Sequence, residues 1–356
     1  MTENNFIELA GRVTPTDATA ATDARALQDR LTKPQGSLGF LESLSVQLAA
    51  IAGACPPPAP EPVTIAVFAG DHGVVRAGVT SWPSEVTAQM VANFCAGGAA
   101  INVLARHVGA SVVVVDVGVA TPIPGDAAGL VRRNVRRGTA NLAESAAMSH
   151  DEALAALWVG AEVARGAISD GARLLVTGDM GIGNTTPSAA LIAAFTGSNP
   201  SEVTGRGTGI DDEMLTVKTH VIESALARLS RDATPLDILA EVGGLEIAAL
   251  AGFIVAGAAA KVPVVIDGVI AVAAALVARA FAPDVTGYLI AGHRSSEPGA
   301  SAGLVHLGLH PVIDLGLRLG EGSGAALAVP LVQAAAKILS EMATFDSAGV
   351  TDKEHP

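Results

Sequence analysis

Short β-branched runs recur along this chain, and each stops at once on glycine or aspartate. Val63 to Phe68 runs into Gly70-Asp71-His72-Gly73, Val112 to Val115 into Asp116-Val117-Gly118, and Leu174 to Thr177 into Gly178-Asp179. Later, Val262 to Ile266 meets Asp267-Gly268, Tyr288 to Ile290 meets Gly292-His293-Arg294-Ser295, and Val312-Ile313 meets Asp314-Leu315-Gly316. The runs are continuous rather than alternating, as parallel strands buried on both faces are. Alanine-rich helical stretches separate them, for example Glu85 to His107, Asp151 to Ser169 and Glu246 to Ala260. The pattern predicts an α/β fold with a doubly wound, mostly parallel, Rossmann-like sheet. In such sheets ligands bind beyond the carboxyl ends of the strands. The polar residues of this chain gather at those ends, so the strand-end acids read together as a site.

The two ends of the chain differ from the middle. Residues 1–50 carry helical periodicity through Leu27, Leu31, Leu38, Leu41, Leu44 and Leu48, and residues 53–62 (G-A-C-P-P-P-A-P-E-P) form a stiff connector. Gly322 to Thr344 reads as a long apolar helix followed by a polar tail. The expected division is a small helical domain from residues 1–60 and about 326–356, beside an α/β substrate-binding and catalytic domain over 61–325. No internal repeat of 20–50 residues is evident.

Composition narrows the partners. Half of the residues are hydrophobic but only 3% aromatic, so the core is built from Ala, Val, Leu and Ile, and 39 glycines suit many strand-to-helix turns. A net charge of −13 argues against nucleic acid or an anionic membrane as the main partner. It leaves room for an anionic small molecule in a locally basic pocket. Two cysteines, Cys55 and Cys95, are too few for a disulfide framework and suit a reducing compartment. The N-terminus lacks a basic segment followed by an apolar one. Lys261, Pro263 and Asp267 cut the apolar region from Ile247 to Pro283 below the roughly 18 residues a membrane span requires. The expectation is a cytoplasmic protein without membrane insertion.

Residues 173–190, R-L-L-V-T-G-D-M-G-I-G-N-T-T-P-S-A-A, carry the clearest chemistry. A strand stops at Gly178-Asp179, Gly181 and Gly183 follow, and Asn184, Thr185 and Thr186 open an alanine-rich helix. Glycines let backbone N–H groups approach a ligand, and a helix N-terminus adds oriented donors, so the expected guest is a phosphate or another anion. The spacing is neither of the common nucleotide-binding glycine patterns, and Gly70-Asp71-His72-Gly73 lacks the glycines of a dinucleotide-binding oxidoreductase. A second glycine-rich loop, residues 205–213 with Gly207 within it, precedes a helix bearing Lys218, a candidate phosphate contact. The loop from His293 to Gly299 could complete an anion site through Ser295. Ser84 is a candidate N-cap for a helix bearing Gln89. Glu321, alone among glycines before an apolar helix, is either a helix-dipole partner or a desolvated base. No Cys/His cluster has metal-ligand spacing, and no Ser/His/Asp arrangement announces itself.

Together these segments resemble the nicotinate-nucleotide–dimethylbenzimidazole phosphoribosyltransferase family. The matching pieces are L-T-K-P-Q-G-S-L-G at 31–39, F-A-G-D-H-G-V at 68–74, P-S-E-V-T-A-Q-M-V at 83–91 and G-G-A-A-I-N-V-L-A at 97–105. They continue with G-D-M-G-I-G-N-T-T at 178–186, G-R-G-T-G-I-D-D at 205–212 and G-E-G-S-G-A-A at 320–326. The resemblance implies transfer of ribose 5-phosphate from nicotinate mononucleotide to 5,6-dimethylbenzimidazole, giving α-ribazole 5′-phosphate and nicotinate for cobalamin. It implies a catalytic base at Glu321, with Asp179 a second candidate acid. Phosphate and nucleotide contacts then fall on Gly181, Gly183, Asn184, Thr185, Gly207, Lys218 and Ser295. The base pocket falls on Ser81, Gln89, Met180 and Leu319. No cofactor or metal is implied, and the assembly is a homodimer. The chain departs from the family in carrying Asp179 where glutamate is frequent, and Ala300 where histidine often follows Glu-Pro-Gly.

Overall fold

A computed structural model describes residues 2–123 and 127–351, so residues 352–356 of the expected polar tail lie outside the described residues. Six strands form one sheet: β1 (Val63–Gly70), β2 (Ser111–Gly118), β3 (Leu130–Arg132), β4 (Leu174–Met180), β5 (Val264–Ile266) and β6 (Leu289–Ala291). Their order is β3-β2-β1-β4-β5-β6, and every neighbouring pair is parallel. This is the expected doubly wound α/β architecture, with its winding reversal between β1 and β4.

Each strand serves two cores because successive side chains point to opposite faces. On β1, Ile65, Val67 and Ala69 join Leu44, Phe94, Ile101 and the apolar face of helix Ser323–Glu341. Ala66 and Phe68 face the other layer, built on helices His150–Ser169, Leu245–Ala259 and Val269–Phe281. That explains the continuous apolar runs. Helices His150–Ser169 and Leu245–Ala259 touch backbone to backbone, because a Cβ on Gly160 would meet Ala249 O and one on Gly252 would meet Leu157 O. The long apolar region from Ile247 to Pro283 is therefore core: two helices and β5, almost wholly buried.

Four local expectations change. The Glu85 to His107 stretch is two helices, Glu85–Ala96 and Ala100–Val108, because Gly97 turns left-handed at φ 78°. Ser84 does not cap the first of them: its own backbone is already helical (φ −60°, ψ −26°), and no cap bond forms from its side chain. The run at Val312-Ile313 forms only one parallel bridge, His293 to Ile313. Strand β3 was not expected; its Leu130-Val131 pair sits between Gly129 and Arg132-Arg133 and is only half-buried, so no apolar run marks it. At the chain ends, helices Ala18–Arg30, Phe40–Ala52 and Ser323–Glu341 meet through Ala24, Leu31, Ala49 and Leu339.

Candidate active site

The loop after β4 makes the first half of the site. Gly183 is left-handed at φ 88°, and a Cβ on Gly181 would collide with Gly70 O, so both positions require glycine. Ile182 N donates to Thr87 Oγ1 (3.1 Å), which ties the loop to helix Glu85–Ala96. Helix Thr185–Thr196 starts at once and lacks a side-chain cap; Thr186 N donates to Gly183 O (3.1 Å) and Pro187 has no N–H, so Thr185 N is the first-turn donor left for a ligand. The N-cap of this helix is Asn184, in helical geometry, with its amide turned to Asp179 (Nδ2 to Oδ2, 2.9 Å).

Lys218 closes the cleft opposite. Its side chain is buried, and Nζ donates to Thr185 Oγ1 (2.8 Å) and Gly205 O (2.9 Å). Burial lowers its pKa to about 8, against the pull of the Glu297 carboxylate. Glu297 Oε1 in turn accepts from Gly207 N (2.8 Å), fixing the second glycine loop. Gly181, Gly183, Asn184, Thr185, Gly207 and Lys218 thus line one cleft of ≈ 40 Å³. One water needs roughly 10–15 Å³ on the same measure, so the space suits a phosphate-sized group. Ser295 stands apart from this cleft: it is buried, with Oγ accepting from Glu297 N (3.3 Å).

The second half is acidic. Glu321 is left-handed at φ 64°, and its Oε2 accepts from Ile101 N (3.1 Å) at the start of helix Ala100–Val108. Burial raises its pKa above the usual carboxylate range, opposed by the Ile101 N–H and reinforced by the charge of Asp267. Asp179 is more deeply buried. Its Oδ1 has no partner, and its pKa is pushed up to about 8 by burial, then by Asp267. The fork left by the sequence, dipole partner or desolvated base, resolves in part: Glu321 is desolvated, and it binds the N-terminus of a helix other than its own.

Of the remaining candidates, Ser81, Gln89 and Leu319 are exposed and Met180 is half-buried. Gln89 lies two residues beyond Thr87, so it points away from the face that holds the glycine loop. Sequence reasoning counted Asp267 only among the strand-end acids, without a role of its own, and missed the pairing of His72 with Glu246. Asp267 caps helix Ser323–Glu341 through Gly322 N (3.2 Å) and Ala325 N (2.9 Å). His72 and Glu246 form a fully buried pair (2.7 Å) behind Gly181. Burial lowers the His72 pKa, but Glu246 outweighs it and the net shift is upward. Asp267 carried a signal as a strand-end acid; Glu246, at the head of an apolar helix, carried almost none. Two wider grooves, of ≈ 620 and ≈ 430 Å³, include none of these residues, and both cations Arg228 and Arg133 there are paired, with Glu241 and Glu162.

A parallel sheet with its winding reversal at a glycine-lined cationic cleft, and desolvated acids alongside, defines an α/β enzyme that handles an anionic ligand. The phosphoribosyltransferase family model matches residues 13–350. A nicotinate-nucleotide–dimethylbenzimidazole phosphoribosyltransferase of Salinispora tropica is 58% identical over 353 residues, spanning 95% of this chain and 97% of the relative. One from Chloroflexus aurantiacus is 56% identical over 343 residues, spanning 96% and 97%. The crystal structure of the Thermus thermophilus enzyme of that name superposes with a TM-score of 0.90 at 49% identity, covering 94% of this chain and 99% of that one. The chain belongs to the nicotinate-nucleotide–dimethylbenzimidazole phosphoribosyltransferase family.

Proposed function

We propose that the enzyme transfers ribose 5-phosphate from nicotinate mononucleotide to 5,6-dimethylbenzimidazole in cobalamin nucleotide-loop assembly. The products are α-ribazole 5′-phosphate and nicotinate. Lys218, Gly207 and the Gly181–Thr185 loop hold the phosphate, and Ser295 supports them from the Glu297 loop. Met180, with Ser81, Gln89 and Leu319 at the exposed rim, takes the acceptor, Gln89 from the side of its helix away from the glycine loop. The nicotinate nitrogen is cationic in the nucleotide, so departure as a neutral ring relieves charge and asks no metal or cofactor of the protein. The acceptor attacks through one nitrogen, inverting C1′ from β to α, and loses a proton from the other to Glu321. Asp179 is the second candidate acid. Holding both ligands in line supplies much of the rate. The protein acts in the cytoplasm as a homodimer.

The observation that carries this reading is the Glu321 carboxylate, desolvated yet held by a single backbone N–H, which is the environment a general base requires. The test is to incubate the purified protein with both substrates and follow α-ribazole phosphate by chromatography, with its anomeric configuration read by NMR. Glu321→Gln should lower kcat by about 10²–10⁴-fold, the range for a lost general base. Equal rates would move the base role to Asp179. A β-configured product would rule out single inversion, and no product with the nucleotide bound would rule out this acceptor.

A further inference from the structure

Glu321 reaches Ile101 N from a stretch that is left-handed at three successive residues, Gly320 (φ 85°), Glu321 (φ 64°) and Gly322 (φ 94°). Glycine adopts that conformation freely and glutamate does not. A strained residue persists only where its surroundings over-determine it. Here the constraint is the carboxylate of Asp267, the residue immediately after β5. Its Oδ2 accepts from Gly322 N (3.2 Å) and its Oδ1 from Ala325 N (2.9 Å), so one side chain ties the end of the left-handed turn to the first turn of the helix that follows.

Asp267 is itself fixed from behind. Its backbone N–H donates to Thr177 Oγ1 (3.0 Å) on β4, two residues before Asp179. His293 Nε2 lies 3.4 Å from Asp267 Oδ1, and the imidazole packs on Gly324, where any Cβ would collide with the ring. At Gly292 a Cβ would come within 2.6 Å of Ala325 Cα, so the β6 loop presses on the same first helical turn. Asp267 is only 1% exposed, which puts it out of a substrate's reach.

Given the reading of Glu321 as the base, we propose that Asp267, backed by His293, is a positioning residue for the transfer. It holds the Glu321-Gly322 turn so that the Glu321 carboxylate points across to helix Ala100–Val108 and the acceptor, instead of relaxing toward its own helix. Asp267 has a second effect, through charge. The ionisable groups facing Glu321 are Asp267 just after β5 and Asp179 on β4, with His293 across Asp267. Removing the negative charge of Asp267 makes Glu321 easier to ionise.

The experiment compares the full chain with Asp267→Asn, Glu321→Gln, the double variant and His293→Gln. It reads nicotinate mononucleotide affinity, KM for the benzimidazole, kcat and the pH profile. Asparagine keeps the shape but offers only one acceptor for the two N–H groups. The expected result for Asp267→Asn is a kcat at least tenfold lower, nucleotide affinity within about twofold, and an acid limb moved to lower pH. The double variant should be no slower than Glu321→Gln alone. A helix cap without a positioning role would lower thermal stability while leaving kcat and the acid limb where they were. That result, or multiplying losses in the double variant, overturns the proposal. If Asp267→Asn does not fold, His293→Gln decides: lower kcat at unchanged nucleotide affinity supports the positioning role, and wild-type kcat overturns it. Glu321→Gln at the wild-type rate would instead sink the base assignment, and the proposal with it. Slow Glu321→Gln beside fully active Asp267→Asn would sink the positioning role alone.

Discussion

Replacing Asp179 by asparagine should stabilise the protein, increasingly so as the pH rises. The Asp179 carboxyl is buried, leaves Oδ1 unpartnered and has its pKa pushed up to about 8, mainly by burial and then by Asp267. In the unfolded chain it titrates near about 3.9. Between those values the native state keeps a proton that the unfolded state has lost, so native stability falls as pH rises through the window and levels off above it. The slope is about 1.4 kcal/mol per pH unit, or ~4 kcal/mol by pH 7 for an isolated group. Asp267, Glu246 and Glu321 share the same electrostatic strain, so relief at one of them recovers only part of it, on the order of 2 kcal/mol. Asparagine keeps the acceptor for Asn184 Nδ2 and removes the ionisation. With about 2.1 cal/mol/K of unfolding entropy per residue over 356 residues, the melting temperature should rise by about 3 °C at pH 7 and by less than about 1 °C at pH 5. Thermal unfolding of both proteins across pH 5–9 measures the difference. A pH-independent difference, or a variant less stable than wild type at pH 8, would show that Asp179 is not held protonated by its surroundings.

Lys218→Ala should raise KM for nicotinate mononucleotide by roughly 10–100-fold with a smaller change in kcat, because it removes a charge-assisted contact from the ground state and the transition state alike. In the wild type, nucleotide affinity should fall as pH rises through about 8, where the free enzyme's Lys218 gives up its proton, and calorimetric titration of Lys218→Met should lack that limb. Gly252→Ala drives a Cβ into Leu157 O between two core helices, and should lower stability by about 3 kcal/mol, read as a melting temperature about 4 °C lower.

The elements that could be read in advance are those whose signal is local. Five of the six strands announced themselves because burial on both faces leaves an unbroken apolar run, as in Val63 to Phe68. β3 did not, because it is half-buried or exposed along its length and its two apolar residues, Leu130 and Val131, are followed at once by Arg132-Arg133. The same division runs through the site. The Gly181–Thr185 loop and Lys218 belong to motifs whose residues sit close in sequence, and one cleft collects them. Asp267, His72 and Glu246 act across separations such as the 174 residues between His72 and Glu246, where spacing carries no information. Ser84 failed as a cap for a comparable reason: composition suggested the residue, but Pro83 O already accepts Val86 N, which draws Ser84 into the first turn.

The same sequence contains a means of orienting its substrate. Asn184 lines the cationic cleft, and its amide is bonded to Asp179, which belongs to the acidic cluster with Asp267 and Glu321. Six residues, Asp179 to Asn184, therefore join two environments of opposite preference: buried Lys218 and a helix N-terminus on one side, desolvated carboxyls on the other. In a low-dielectric setting such charges act strongly. A dianionic phosphate is drawn to the first side and repelled by the second, whereas a neutral acceptor about to lose a proton is favoured by the second. On the proposed reaction, a ligand carrying both a phosphate and a sugar then has one favourable orientation, with C1′ toward Glu321. The negative charge of the chain as a whole then matters less than its division across one loop.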